Sequence, residues 1–182
     1  MKSQTQQTPL MAQYYKVKQA HPDTILLFRV GDFFETFEDD AKLTSKVLGI
    51  TLTKRSNGSS GDTPLAGFPH HAIDTYLPKL VRAGYRVAVC EQMENPKFAK
   101  GIVKREVVEV VTPGVTLSDK LLDHKKNNYL LAISILDQIC GLSFCDISTG
   151  EFYVFEIPLS QLGEQIESIN PSEFLIPKRD KK

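Results

Sequence analysis

The stretch Gly31-Asp32-Phe33-Phe34-Glu35 decides how this chain is interpreted. It follows an apolar run at 25–30 that predicts a buried strand, and it precedes a segment at about 36–48 that predicts a helix. Turns between such elements normally carry small polar residues, so two aromatic rings and a carboxylate are unexpected there. A ring exposed at this turn is suited to act as a wedge, because apolar side chains of this kind insert between base steps and kink a duplex.

The sequence around this stretch alternates helix and strand patterns. Thr8-Pro9 resembles an N-cap followed by proline at the first helical position. The alternation predicts an α/β (α+β) first domain with a mixed sheet and flanking helices. Its predicted helices are 8–20, about 36–48 and 72–83; its predicted strands are 25–30, 50–53, 86–92 and 107–111; residues 56–62 are predicted to be a loop and 64–69 a short rigid segment.

A second unit follows a stretch with few apolar residues. Short loops that contain glycine predict hairpin connections between its first three strands. So short a unit buries little core, and we therefore expect it to be the beginning of a larger domain. The predicted order is β-β-β-α-β, with strands at 129–136, 142–147, 151–157 and 173–176 and a helix at 160–169.

Composition indicates a soluble globular protein. A hydrophobic content of 41% and a charged content of 24% are ordinary for 182 residues. No apolar run approaches the roughly 20 residues that span a bilayer, and the polar residues 1–7 are unlike a signal peptide. Three cysteines without metal-ligand spacing favour a reducing, cytoplasmic location.

The net charge is zero but unevenly distributed. Residues 1–126 carry 18 Lys and Arg against 14 Asp and Glu, whereas residues 127–182 carry 4 against 8. This asymmetry predicts two units and makes the first the expected host of a polyanion. The excess of positive charge in residues 1–126 is too small for a protein that is basic over its whole surface.

Several separated motifs resemble those of the MutS family of DNA mismatch repair proteins. They occur in one order over essentially the whole chain, which makes the resemblance specific although each motif alone is weak. They are Thr8-Pro9 with Tyr14, Gly31-Asp32-Phe33-Phe34-Glu35, Leu52-Thr53-Lys54-Arg55, Pro64-Leu65-Ala66-Gly67-Phe68-Pro69-His70-His71, Cys90-Glu91-Gln92, Val111-Thr112-Pro113-Gly114, Leu130-Leu131-Ala132 and Asp146-Ile147-Ser148-Thr149-Gly150.

The resemblance implies a mismatch-recognition domain at 1–115, a linker at 116–128 and the beginning of a connector domain with an RNase H-like core at 129–182. It implies binding to double-stranded DNA with mismatches or small loops, in the bacterial cytoplasm and associated with the nucleoid when on DNA. The family protein is a homodimer that works with a MutL-type partner and uses ATP and Mg through a downstream P-loop domain. This chain has no G-x-x-x-x-G-K-[ST] sequence, so we expect no cofactor and no enzymatic activity in it.

The Phe-X-Glu element of the family maps onto Phe33 and Glu35. By that mapping Phe33 stacks on the mispaired base from the minor groove and Glu35 hydrogen-bonds to that base. Phe34 stands where the family often has Tyr, and we expect it to pack. The residues alone leave alternatives open: Phe33 as a core residue, Glu35 as an acid favoured at a helix N-terminus, and Asp32 as a helix N-cap.

Further contacts with the DNA backbone or groove are expected from five residues. Lys54 and Arg55 precede a Ser/Gly-rich loop, which suits phosphate contact. Lys104 and Arg105 suit the backbone path, and Leu65, near Pro64 and Pro69, suits the minor groove. Each has an ordinary alternative as a solvated cation or a core side chain. His70-His71 lacks nearby ligands that would complete a metal site, so no metal is expected.

Two other functions remain open from the residues. Asp137 and Asp146 are similar to the acidic residues of RNase H-like nucleases, which would make the chain a metal-dependent nuclease. A two-metal site needs several converging carboxylates, and the sequence shows no full set. The other alternative is a structural piece that folds but does not bind DNA by itself.

Overall fold

Gly31 and Asp32 close a β-hairpin, which corrects the predicted strand-to-helix turn. A computed structural model describes residues 8–56, 61–99, 101–115 and 126–177. Strand β1 (Ile25–Val30) pairs antiparallel with β2 (Phe33–Phe37) across this turn. Gly31 has a φ of 58°, the positive value that two-residue hairpin turns favour at their first central position. Asp32 therefore lies in a hairpin turn, and its prediction as a helix N-cap is wrong.

The second helix, α2, begins at Glu38 rather than near residue 36. The chain turns sharply there, since Glu38 has a φ of 54°, and Tyr15 Oη donates to Glu38 Oε1 at 2.8 Å. Phe37, predicted on the inner face of the helix, is the last residue of β2 and is fully buried. Gly49 ends the helix in the left-handed conformation, as predicted.

Six strands form one mixed sheet in the first unit, in the order β3-β4-β2-β1-β5-β6. β1 and β5 are parallel, and the other neighbouring strands are antiparallel. The remaining elements of this unit are α1 (Pro9–Ala20), α2 (Glu38–Leu48), β3 (Thr53–Ser56), β4 (Asp62–Pro69), α3 (Ile73–Arg82), β5 (Val87–Gln92) and β6 (Arg105–Val111).

β4 is an internal strand even though it contains two prolines. The sequence predicted only a rigid segment here, because proline lacks an N–H and is normally confined to edge strands. In the structure Pro64 lies opposite Lys54 of β3, and Pro69 lies opposite Phe33 of β2. β4 thus pairs with β3 on one side and with β2 on the other, and its pairing with β2 holds the tip of the β1–β2 hairpin.

β3 begins later than predicted, at Thr53 rather than at residue 50. Ser56 and Asp62, predicted as loop, pair with each other as strand ends. Residues 57–60 of the predicted loop lie outside the described residues. Pairing with β4 places the basic pair at 54–55 on the edge strand of the sheet, one strand away from β2.

Helices cover both faces of this sheet. α1 begins at the predicted cap, where Thr8 Oγ1 accepts from Met11 N at 3.4 Å. α3 packs on the other face, where the rings of Tyr76 and Phe68 are 4.7 Å apart. The core under α1 consists of Met11, Tyr14, Leu26, Phe28, Phe37, Ala88 and Cys90.

The second unit, Thr112–Lys182, has the predicted β-β-β-α-β order and a sheet with the strand order β10-β7-β8-β9. β8 starts three residues earlier than predicted, because only Asp137 and Gln138 form the turn. The mixed α/β class is confirmed in both units. The predicted linker lies largely at 116–125, outside the described residues. The elements are β7 (Tyr129–Leu136), β8 (Ile139–Asp146), β9 (Glu151–Pro158), α4 (Leu162–Ile169) and β10 (Glu173–Leu175).

None of the helices in the described ranges is long and apolar enough to pass through a bilayer.

Candidate nucleic-acid interface

Phe33 is exposed at the tip of the β1–β2 hairpin. Its residue surface is 46% accessible, whereas Phe34 is 1% accessible and packs on the opposite face of the sheet. The turn is fastened to the end of β4, since His70 N donates to Asp32 O at 2.8 Å. The alternative that Phe33 is a core residue is therefore wrong, and the packing role expected for Phe34 is confirmed.

Glu35 lies on the same face as Phe33, because side chains alternate along a strand. Its Oε2 accepts a hydrogen bond from Arg55 Nη1 at 2.7 Å, and its side chain is 16% accessible. Burial raises the pKa of the Glu35 carboxyl, and the nearby Arg55 guanidinium partly opposes that rise. Because Glu35 belongs to a strand, the alternative of a helix N-terminal acid is wrong.

The two residues line one open groove of about 530 Å³. Leu65, predicted as a groove contact, also lines it while packing partly against the core under α1. The groove lies between strands β2, β4 and β3 of the sheet and the segment that follows α2. Its other lining residues are Gly49, Ile50, Thr51, Thr53 and Gly67.

The adjacent cations Lys54 and Arg55 have different surroundings. Lys54 lies on the opposite face from Arg55, is 75% exposed at its side chain, and lies 3.9 Å from Asp62 Oδ2. Arg55 is 34% exposed and is joined to Glu35. Of this predicted basic pair, Arg55 contacts Glu35, a residue that lines the groove, whereas Lys54 is a solvated cation at the sheet edge.

Lys104 and Arg105 also differ from each other. Lys104 is 68% exposed at its side chain and forms a 2.7 Å ion pair with Glu106. Arg105 is 8% exposed, donates to Gln13 Oε1 at 2.8 Å and to two backbone carbonyls, and lies 5.0 Å from the centre of the Phe28 ring. The expectation that Arg105 contacts the DNA backbone does not fit this geometry, because the residue is buried and its Nε and Nη1 groups donate inside the unit.

The acidic residues that suggested a nuclease do not form a metal site. Asp146 is buried; burial raises its pKa, but hydrogen bonds from Ser148 and from backbone N–H groups outweigh this and lower it. Its two oxygens accept from Asn128 N at 2.8 Å and from Ser148 N and Oγ at 2.9 and 2.6 Å. Asp137 is exposed in the β7–β8 turn. Across the described ranges no three His, Cys, Asp or Glu side chains gather as metal ligands.

Sequence reasoning did not single out Gly67, which shapes the groove beside Glu35. A Cβ at this position would lie 2.9 Å from Phe34 O and 3.5 Å from Glu35 Cγ. The available signal was a glycine inside a strand pattern, which often marks a close approach of backbone or ligand. The flanking prolines concealed that signal, because they argued against a strand.

Residues 8–120 match the family model described as MutS domain I, and residues 128–182 match MutS domain II. Curated relatives with the name DNA mismatch repair protein MutS include those of Chlorobaculum parvum (54% identical over 178 residues), Flavobacterium psychrophilum (56% over 175) and Salinibacter ruber (55% over 186). The alignments cover 96–97% of this chain and 20% of each relative, so the chain spans about one fifth of the length of these relatives.

Proposed function

The chain belongs to the MutS family, and from this premise we propose that it binds mispaired and unpaired bases in duplex DNA to initiate mismatch repair. Phe33 enters from the minor groove, stacks on the base and kinks the duplex. The observation that carries this proposal is an aromatic side chain, 46% accessible, on the tip of a hairpin whose backbone is fixed by β4.

The free energies favour defective DNA over matched DNA. A base stacked on an aromatic ring contributes about 1–3 kcal/mol, and unstacking a base step costs a few kcal/mol. In a matched duplex these contributions roughly cancel. A mispaired or unpaired base has already lost pairing energy, so the same distortion costs less there. One inserted ring therefore reads how easily the duplex deforms.

Glu35 supplies the hydrogen bond to the base on which Phe33 stacks. A carboxylate near DNA is repelled by phosphates, so it contributes only where it meets a donor, or an acceptor if it is protonated. Its position on the same face as Phe33, two residues along β2, suits that role. Phe33 thus inserts into the duplex, and Glu35 makes a polar contact that matched, stacked bases do not make.

Affinity comes mainly from phosphates. Lys54 and Lys104 are exposed cations of the first unit, with side-chain accessibilities of 75% and 68%. Each phosphate contact releases counterions, so we expect binding to weaken steeply with added salt for matched and defective duplexes alike.

ATP binding and homodimer formation are not explained by the residues of this chain. The chain spans about one fifth of its relatives and contains no P-loop sequence. We propose that ATP and Mg binding, homodimer formation and contact with a MutL-type partner involve regions outside these 182 residues. We propose a cytoplasmic location for the same protein.

The test is fluorescence anisotropy of short duplexes at one low salt concentration. The duplexes carry a G·T mismatch, an unpaired T or no defect, and they are titrated with the chain, with Phe33→Ala and with Phe152→Ala. Phe152 is a matched control because it is an exposed ring, 67% accessible, in the second unit. We expect Phe33→Ala alone to lose the preference for defective duplexes while keeping binding to matched DNA. Full preference in Phe33→Ala, or equal binding of all duplexes by the unaltered chain, contradicts the proposal.

A further inference from the structure

Glu35 and Arg55 come from strands that are not neighbours. Arg55 of β3 lies opposite Thr63 of β4, and Glu35 of β2 lies opposite Gly67 of β4. Residues 63 and 67 are on one face, because side chains alternate along β4. The 2.7 Å ion pair therefore crosses β4 over the position that has no side chain.

The ion pair engages one of the two carboxyl oxygens. Arg55 Nη1 donates to Oε2. Among the described residues no hydrogen bond is made to Oε1. A carboxylate fixed through one oxygen keeps the lone pairs of the other for a donor. Phe33 and Glu35 line the same groove, so a base stacked on that ring would lie beside the Glu35 carboxyl.

Two cations influence the charge of Glu35, and they act differently. Arg55 donates a hydrogen bond to the carboxyl, while the buried Arg105 of β6 acts through its charge alone, and its Nε and Nη1 groups donate to other acceptors. On this face β1 and β4 present only uncharged side chains toward Glu35. These side chains are Phe28, Val30, Leu65 and Pro69.

We propose that Arg55 is a positioning residue that sets base specificity: it holds Glu35 as a carboxylate with Oε1 free, so that Glu35 selects bases that present an N–H donor. This rests on the proposed function, because it names the chemistry that Glu35 reads beside Phe33. Without Arg55, the effect of burial is opposed less, so the pKa of Glu35 rises and the protonated acid, which donates to base acceptors, becomes more populated.

The first test needs no DNA. NMR titration of the Glu35 side-chain carbon follows its ionisation in the chain, in Arg55→Gln, in Arg55→Lys and in Lys54→Gln. Lys54→Gln is matched, because it removes one positive charge from the neighbouring residue on the opposite face. We expect the pKa of Glu35 to rise in Arg55→Gln, to be largely restored in Arg55→Lys and to stay unchanged in Lys54→Gln. Unchanged ionisation in a folded Arg55→Gln protein overturns the inference.

The second test measures specificity. Anisotropy compares a duplex with an unpaired thymine, whose N3–H is a donor, with one carrying an unpaired purine base that has no exocyclic group and offers only acceptors. We expect the affinity ratio of thymine to purine to fall about tenfold in Arg55→Gln. This affinity ratio should not change in Lys54→Gln. In Glu35→Gln the ratio should not depend on pH. A ratio unaltered by Arg55→Gln contradicts the role in specificity.

The two proposals fail separately. If Phe33→Ala keeps the preference for defective duplexes, the wedge is wrong while the titration still decides whether Arg55 controls Glu35. If Phe33→Ala loses the preference and Arg55→Gln changes neither the ionisation nor the base ratio, the wedge stands and the role of Arg55 is wrong.

Discussion

Gly67 lies directly opposite Glu35 in the antiparallel pairing of β2 and β4, and a side chain at position 67 would clash with the backbone of β2. The two backbones approach so closely that any Cβ at 67 would lie 2.9 Å from Phe34 O. The close approach of β4 to β2, the strand that carries Glu35, therefore depends on a residue without a side chain.

We expect Gly67→Ala to destabilise the first unit and to weaken mismatch preference. The methyl group forces β2 and β4 apart, and overpacking of this kind typically costs about 1–3 kcal/mol. Chemical denaturation followed by NMR measures the loss for the first unit. Gly163→Ala is the control, since nothing lies within 4 Å of its added Cβ in α4 and alanine favours helix. Equal stability of both variants would show that the strands tolerate the methyl group.

The raised pKa of Glu35 predicts how stability depends on pH. The folded state holds the Glu35 proton more tightly than the unfolded state, whose ordinary value is 4.5. The free energy of unfolding therefore falls as pH rises from the unfolded pKa through the folded pKa, and it is highest below that window. In Glu35→Gln this fall should be smaller. Urea denaturation between pH 4 and neutrality, with Glu156→Gln as control, measures it; identical pH profiles for the chain and Glu35→Gln would contradict it.

Asp40 ties α1, β1 and α2 together. Its Oδ2 accepts from Lys18 Nζ at 2.8 Å and from Leu26 N at 3.0 Å, and the residue is 7% exposed. Removing the carboxylate leaves the buried N–H of Leu26 without this acceptor and Lys18 without its anionic partner. Both losses weaken the contact between the helix α1 and the sheet.

We expect Asp40→Ala to lower the free energy of unfolding by roughly 2–4 kcal/mol. The neighbouring substitution Asp39→Ala should leave stability nearly unchanged, because the Asp39 side chain is 87% exposed and forms a surface ion pair with Lys42 one turn away. Thermal unfolding of the two variants measures the difference. A shift of the same size in both would mean that net charge, rather than the buried contact, is responsible.

Much of the fold followed from local sequence patterns. The cap at Thr8, the left-handed stop at Gly49 and the strand at 129–136 are where the sequence predicts them, because capping and hydrophobic periodicity are local. The strand β2 was missed because its five residues precede a helix directly, with no turn residue between them. β4 was missed because Pro64 and Pro69 are rare inside sheets.

The site was harder to predict from the sequence than the helices and strands that form it. The family resemblance distinguished Phe33 from Phe34, but composition and periodicity did not; strand alternation in the folded sheet is what exposes one ring and buries the other. The contrast between Arg55 and Arg105 likewise depends on long-range contacts, since Arg105 is bound by Gln13, 92 residues away. The pairing of Glu35 with Arg55 arises across β4 and has no local signal.

The most direct measurement is an NMR spectrum of the chain with labelled phenylalanine rings, bound to a duplex with one unpaired thymine. The account predicts nuclear Overhauser contacts between the Phe33 ring and the unpaired base and its stacking neighbour, and none of them with the matched duplex. Binding to the unpaired thymine without any contact between Phe33 and a base would contradict the central claim that this ring is the wedge.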